Sequence, residues 1–469
     1  MSQFDSAPET DATPTTQRGL WLTEITETLK LSVPIALTQL GQVAMMTTDL
    51  MLLGRLGDKV IAAAALAHTV LFAAFVLGMG LVAAVAPLAA QAYGARDPRG
   101  VRRAVRVGMW AAVLAGVPLT ALQLWGDTIL TRLGQSPETA ALAGRYLMGL
   151  GWSLMPAWVF MALRGFMGAV NKPEPALWIT LVAIPANLVL AWALIHGALG
   201  MPKLDVLGAG VATTLVNIGM CAAALVVAYT QHPFKKYQIL GRFWVFDRVL
   251  FARLIAIGLP ISGAYLLEYG VFAAAALLMG SIGTTALAAH QIALQVASIL
   301  FMVPFGIAMA ATVRVGHAVG RQDGPAARQA GIAALALGAA FMVIMTSLVA
   351  LTRDQLPLLF LGTGSAEASA TVALTSSLLL VGMCFFVADG LQTVAAGVLR
   401  GFNDTRVPLL FAVLSFWGVG FTACWWLGFR ANLGAQGVWL GLTAGLIVFA
   451  VLLVWRFERL TRGGKVPEM

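Results

Sequence analysis

The sequence predicts an all-α membrane protein, with twelve transmembrane helices in two six-helix bundles related by a pseudo-two-fold axis along the membrane normal. Three observations predict it. The composition is apolar and poor in charge, twelve apolar segments are long enough to cross a bilayer, and the second half of the chain repeats the first. Of 469 residues, 59% are hydrophobic and 11% charged, against about 45–50% apolar and about 25% charged in soluble domains. So few charges cannot cover so much apolar surface in water, and the bilayer is the natural solvent.

A span needs roughly 20 mostly apolar residues. The segments that qualify are 29–54, 60–93, 104–126, 139–168, 175–197, 206–230, 249–280, 285–319, 328–352, 367–399, 407–428 and 434–456. The domain limits follow: a disordered cytoplasmic tail at 1–24, a first lobe at 25–232, a cytoplasmic linker at 233–248, a second lobe at 249–457 and a short cytoplasmic tail at 458–469. The first 20 residues are rich in Ser, Thr, Pro, Asp and Glu, which is the composition of a disordered segment. The first apolar run is too long for a signal-peptide core and is expected to stay as a membrane helix. Pro34, Pro87, Pro156, Pro185, Pro260 and Pro304 fall within spans, where kinks are expected.

The formal net charge is +9. The basic residues sit in short loops between apolar runs, so they report topology and not nucleic-acid binding. With both termini on one side, 23 of the 30 Lys and Arg residues fall on the terminus side and seven on the other. Arg96, Arg99, Arg102, Arg103 and Arg106 are one cluster, and Lys235, Lys236, Arg242, Arg248 and Arg253 another. This bias places both termini in the cytoplasm of a bacterial inner membrane. Cys221, Cys384 and Cys424 lie inside apolar runs without a disulfide or zinc spacing.

A shift of 226 residues lays the first half on the second without a gap for about 75 positions. Pro34 meets Pro260, Gly54 meets Gly280, Gly80 meets Gly306, Gly94 meets Gly320 and Asp97 meets Asp323. The loop GARDPRGVRR meets GRQDGPAARQ, and LRGF recurs at 163–166 and 399–402. Each half has six helices, an even number, so both copies enter the membrane in the same direction. The two lobes then flank a central cavity, as alternating access requires.

An ionised side chain at the bilayer centre costs about 2.5–3.5 kcal/mol or more, so acids there need a reason. Glu268 lies in the seventh span, Asp389 in the tenth and Asp49 in the first. Each can be a hydrogen-bonded packing group, or a site where a proton, Na⁺ and an organic cation compete for one negative charge. Desolvation favours the protonated form of a carboxyl, which suits such an exchange. Gln39, Gln42, Asn187 and Asn217 on the first lobe, and Tyr265, His290, Gln291, Gln295 and Gln392 on the second, are candidates to line the cavity. Gln392 and Thr393 share a helix face with Asp389. Tyr265, Tyr269, Phe301, Phe385 and Phe386 offer faces for flat cations. For single amides an interhelical hydrogen bond is an equally good reading, and His290 reads better as structural than as a proton carrier.

No phosphate-binding GxxxxGK[ST], no HExxH and no GxSxG is present, so an ATPase, a zinc hydrolase or a serine hydrolase is not indicated. No cofactor is implied, and the chain is not expected to be an enzyme. Transport would draw on an ion gradient or on the membrane potential.

The chain resembles the multidrug and toxic compound extrusion (MATE) transporters, and more narrowly their NorM-type branch, over roughly residues 25–457. The resemblance rests on the doubled six-helix plan, the Pro34 to Asp49 stretch, Glu268, ALAAHQIALQ ending at Gln295, VRVGHAVG at 313–320 and ADGLQTVAAGVLRGFNDT at 388–405. It implies export of cationic, often aromatic drugs in exchange for H⁺ or Na⁺ by alternating access. It implies that Glu268 and Asp389 bind the cation, Na⁺ included, in the second lobe. Asp49 with Asn187 would form an acidic site in the first. Some relatives carry a Tyr where this chain has Phe301, which removes an oxygen ligand for Na⁺ and favours a proton. A flippase for lipid-linked saccharides is the alternative of related architecture, and it would need a basic cavity. A transporter whole in one chain is expected to work as a monomer.

Overall fold

A computed structural model of the chain describes residues 17–132, 134–361 and 366–463. Twelve long helices form the first lobe, α1 (Gln17–Gly54), α2 (Lys59–Gly94), α3 (Pro98–Leu124), α4 (Pro137–Ala169), α5 (Glu174–His196) and α6 (Asp205–Thr230), and the second, α7 (Arg248–Ile282), α8 (Thr284–Gly320), α9 (Gly324–Thr352), α10 (Ala366–Val381 continued by Met383–Gly401), α11 (Arg406–Arg430) and α12 (Gly434–Thr461). Among the described residues, eleven helices are long and apolar enough to cross a membrane. The remaining one is α1, whose Thr38, Gln39, Gln42, Thr47, Thr48 and Asp49 dilute its apolar content. Helices suit this solvent because lipid offers no partner to an open backbone group.

The prolines act unequally. Pro87 follows a break in α2 at Ala84, and Pro156 follows a 3₁₀ turn in α4 at Gly151–Ser153. A proline ring clashes with the carbonyl four residues back and removes a hydrogen bond, which accounts for both breaks. Pro34, Pro185, Pro260 and Pro304 lie inside unbroken helices. In α11 the turns widen to π geometry at Val413–Phe421 and Trp426–Arg430, which no proline announces.

The expected tails need correction. Residues 17–24 are the first turns of α1, and 458–461 the last of α12; residues 1–16 and 464–469 lie outside the described residues. Charge pairing holds both ends in helix. Glu24 accepts two hydrogen bonds from Arg314 of α8, at 2.9 and 2.6 Å. Glu458 accepts two from Arg328 of α9, at 3.0 and 3.1 Å. The two ends of the chain therefore lie on one face.

The chain between the lobes is strapped to α3. Arg106 donates to the Arg242 carbonyl at 2.7 Å and the Trp110 indole to that of Phe243 at 3.1 Å. Asp247 caps α7 by accepting from the Leu250 N–H at 3.0 Å and pairs with Arg103. Burial alone would raise the Asp247 carboxyl, but the Leu250 N–H, Arg103 and Arg106 outweigh it and hold it below its ordinary value.

The internal repeat is visible in backbone and in contacts. Arg96 and Gln322, 226 residues apart, both adopt the left-handed conformation, with φ of 56° and 59°. Each is followed by an aspartate that caps the next helix, Asp97 on α3 and Asp323 on α9. Across the interface Gly80 packs on Ser262 while Gly306 packs on Ala36, and Ala36 and Ser262 are themselves repeat partners. Likewise Gly94 meets His317, and Gly320 meets the partner position Gln91. Two lobes touching through exchanged equivalents are related by a two-fold axis.

These contacts gather at the face that holds the chain ends. The Ser262 hydroxyl donates to the Leu77 carbonyl at 2.7 Å, a His317 ring nitrogen meets the Ala169 carbonyl at 2.7 Å, and Gln91 donates to the Gly401 carbonyl at 2.9 Å. Farther in, Phe72 and Tyr269 meet with ring centroids 4.9 Å apart. Beyond them Met46, Met51, Leu277 and Ile299 of α1, α7 and α8 are exposed. The contacts described between the lobes lie in the terminus-side half of these helices.

A side chain at Gly80 or Gly306 would press on backbone of the facing lobe. Gly80→Val and Gly306→Val are each expected to lower stability by about 1–3 kcal/mol, read by thermal unfolding in detergent. Gly54→Ala and Gly280→Ala add a methyl that meets Ile61 at 3.5 Å and Leu287 at 3.9 Å, and should shift stability by less than about 0.5 kcal/mol. Equal tolerance at all four positions would refute the close approach.

Candidate functional site

In the second lobe, α7 and α10 face each other and bring Glu268 and Asp389 onto one amide. Gln392 Nε2 donates to Glu268 Oε1 at 2.9 Å and to Asp389 Oδ1 at 3.2 Å. The helix spacing predicted from the sequence produces this clasp, since Gln392 sits one turn after Asp389. Thr393 Oγ1 lies 3.1 Å from the same nitrogen, and its hydroxyl donates to the Asp389 carbonyl at 2.8 Å. Asp389 and Gln392 are buried, and Glu268 is partly buried.

Glu268, Gln392 and Thr393 line a cavity with Tyr265, Phe301, Arg400 and Asp404, closed by Pro260, Ala396, Pro408 and Phe449. It encloses about 30 Å³, room for one or two waters. In this conformation the inner space admits water or a small cation, and it would have to widen to take a drug-sized molecule. Each carboxylate offers about four acceptor lone pairs. Neither is neutralised by a salt bridge among the described residues. For Na⁺ the oxygen donors at hand are the two carboxylates, the Thr393 hydroxyl and, with its amide turned, Gln392. Phe301 supplies a face and no oxygen.

In the first lobe Asp49 is buried where α1, α5 and α6 meet. Asn187 Nδ2 donates to its Oδ1 at 2.6 Å, and the Thr213 hydroxyl to its Oδ2 at 2.8 Å. Asn217 donates to the Thr213 carbonyl at 2.9 Å. Thr213 was not singled out from the sequence; its place one turn before Asn217 on the same face of α6 is the signal that finds it.

Several expected lining residues fall elsewhere. Gln42 and Gln39 both accept hydrogen bonds from Arg164, Gln42 at 3.5 Å. His290 is fully buried and its Nδ1 accepts from the Trp439 indole at 3.1 Å. Phe385 and Phe386 are buried against the same indole. These three residues belong to the packed interior of the lobe, outside the Glu268 cavity. Gln291 and Gln295 are exposed on α8, outside the Glu268 cavity.

Two arginines inside the helices belong to these sites and are not among the residues the sequence points to. Arg164 is 4% exposed within α4. Arg400 near the end of α10 turns its guanidinium into the Glu268 cavity, 4.9 Å from the Tyr265 ring centroid. The groups they meet, Gln39 and Gln42 for Arg164 and Tyr265 for Arg400, are on other helices, so nothing within their own spans marks them. The two copies of LRGF were the available signal.

Comparison with known proteins places this architecture. The MatE family profile matches residues 34–193 and 260–426. The chain is 65% identical over 442 residues to a probable multidrug resistance protein NorM of Rhodopseudomonas palustris, covering 94% of this chain and 93% of that protein. It is 57% identical over 439 residues to a protein of the same description in Bradyrhizobium diazoefficiens, covering 94% of each. In fold it matches a multidrug resistance MATE family transporter solved in an outward-facing conformation, with TM-score 0.83, 20% identity and coverage of 97% of this chain and all of that one. A duplicated helical bundle with acids inside its lobes, matched by the family profile across both halves, identifies the chain as a member of the MatE family, a multi-pass membrane transporter and not an enzyme.

Proposed function

We propose that this transporter is a secondary antiporter that exports cationic, often aromatic organic compounds in exchange for H⁺ or Na⁺. The observation that carries the reading is the Glu268–Gln392–Asp389 clasp. Two carboxylates are held together in an apolar lobe by one neutral amide. Their charge is available to a proton, to Na⁺ or to an organic cation, and the ligands exclude one another. Competition for one site, coupled to alternating exposure, is antiport. The NorM relatives support the cargo by their description as multidrug resistance proteins.

Alternating access would open and close the seam at the terminus face while the cleft on the opposite face closes and opens. The bias of basic residues toward the terminus-side loops supports a cytoplasmic setting for that face. The flippase reading is less favoured. It needs cationic side chains free to hold a pyrophosphate, whereas Arg164 is engaged by Gln39 and Gln42, and Arg400 lies over Tyr265 inside a lobe.

The reading is tested by ethidium efflux from proteoliposomes. Glu268→Gln and Asp389→Asn should each reduce the driven rate by about tenfold or more, a loss of ~1.4 kcal/mol or more in the driven step. Full activity in both would sink the mechanism. Asp49→Asn should reduce the rate less, because both Asp49 oxygens are already held by Asn187 and Thr213; a larger loss than at Glu268 would move the coupling site to the first lobe.

With Phe301 beside Glu268, a pH gradient imposed alone should drive efflux, and Phe301→Tyr should raise the response to an imposed Na⁺ gradient. Efflux driven by Na⁺ alone in the native protein would reverse the assignment of the ion.

A further inference from the structure

Arg400 stands in an unusual pose. A long basic side chain near a helix end ordinarily extends its head toward interfacial water. Water is at hand here, because a vestibule of about 560 Å³, lined by Arg253, Asn403, Asp404, Arg406 and Arg456, adjoins the Glu268 cavity and shares Asp404 and Thr405 with it. Arg400 lines the inner cavity and not the vestibule. The carboxylate of Asp404 is held by Arg456 at 2.7 Å.

The internal repeat shows where this arginine can go. Arg164 and Arg400 are the same residue of the two LRGF copies. The packing agrees: Gly165 rests on Ala86, and Gly401 on the Thr312 carbonyl, the repeat partner of Ala86. At the 226-residue spacing, Gln39 corresponds to Tyr265 and Gln42 to Glu268. Arg164 donates to both Gln39 and Gln42. The first lobe therefore shows the arginine reaching the position that Glu268 occupies in the second. In the second lobe it rests over Tyr265, one turn away on α7, a separation of about 4.5 Å along the helix.

We propose that Arg400 is a resident cation for Glu268, parked on Tyr265 while Glu268 holds its ligand and paired with the carboxylate once the ligand has left. The inference rests on the antiport reading and names the group that competes with cargo. An ionised carboxylate left unpaired in the membrane interior is costly, and a guanidinium already inside the cavity removes that penalty. In the first lobe the same arm meets a neutral amide, so its pose is permanent. In the second it meets an acid whose charge comes and goes. The other groups around Glu268 are consistent with this: Asp389, Gln392 and Thr393 from α10, Phe301 from α8, Phe449 from α12, and Asp404 already paired.

The test measures equilibrium binding of radiolabelled tetraphenylphosphonium to purified, monodisperse protein, alongside driven efflux. Removing a competitor should tighten binding, so Arg400→Gln is expected to bind about tenfold more tightly and to turn over more slowly. Arg400→Met serves the same purpose if the glutamine variant does not fold. Arg400→Lys, which keeps the charge, should restore near-native affinity. In a Glu268→Gln background, Arg400→Gln should no longer tighten binding. Unchanged or weaker binding in the charge-removed variants, or tightening that survives without Glu268, overturns the proposal. Native binding and efflux in Glu268→Gln alone would instead overturn the antiport reading beneath it.

Discussion

Within a bilayer, helices gain little from hiding apolar surface from one another, because lipid is equally apolar. Close packing of small residues takes over that role. This constraint shapes the seam between the lobes. Gly80, Gly94, Gly258, Gly306 and Gly320 put backbone against backbone, and the buried hydrogen bonds of Ser262, His317 and Gln91 form where the approach is closest. The two-fold relation between the lobes follows, since Gly80 on Ser262 is matched by Gly306 on Ala36, and Gly94 on His317 by Gly320 on Gln91. The contacts that join the lobes lie in the terminus-side half of the helices, where the glycines bring backbones together.

The same symmetry exposes where the chemistry has diverged. Gln39 and Tyr265, Gln42 and Glu268, Asp49 and Ala275 are positional equivalents with unlike side chains. The first lobe holds an arginine on two amides and an aspartate on an asparagine and a threonine. Those groups are engaged with one another, though Arg164 Nε and Asn187 Oδ1 are left without a partner. The second lobe holds two acids on one amide, with an arginine near and unengaged by either. There two acids share one neutral donor and neither has a salt-bridge partner among the described residues, and charge left without a counter-charge in a low-dielectric interior is what binds, moves or titrates.

Much of this was legible in the sequence. The all-helical membrane architecture and the repeat register could be read because the bilayer imposes a length and duplication leaves glycines and loops in register. The identity of the acids was legible because a carboxyl in a span is expensive. Side-chain direction was not. These helices are apolar on nearly every face, so periodicity cannot say which face meets a neighbour. His290, Phe385 and Phe386 were placed near the cavity on that account, and they pack on Trp439. Arg164 and Arg400 escaped notice for the converse reason: each sits near a span end, where an arginine is unremarkable until the helix rotation aims it inward.

The seam also sets the energy that transport must move. If the transporter opens at the terminus face, as proposed above, it would break the hydrogen bonds of Ser262, Gln91 and His317 and the two-pronged Glu24–Arg314 pair. At about 0.5–1.5 kcal/mol net for each hydrogen bond, these contacts together amount to several kcal/mol. A shift from 1:99 to 99:1 between two states needs about 5.5 kcal/mol of differential binding, which is the same order. A seam of this strength is firm enough to favour one opening and weak enough for a charged ligand to reverse it. Tight packing of larger apolar groups would have locked the lobes, and a seam of surface contacts alone would have let both faces leak. The glycine contacts make the difference, because they carry backbone close enough to hydrogen-bond across the lobes without adding side chains that would have to be pulled apart.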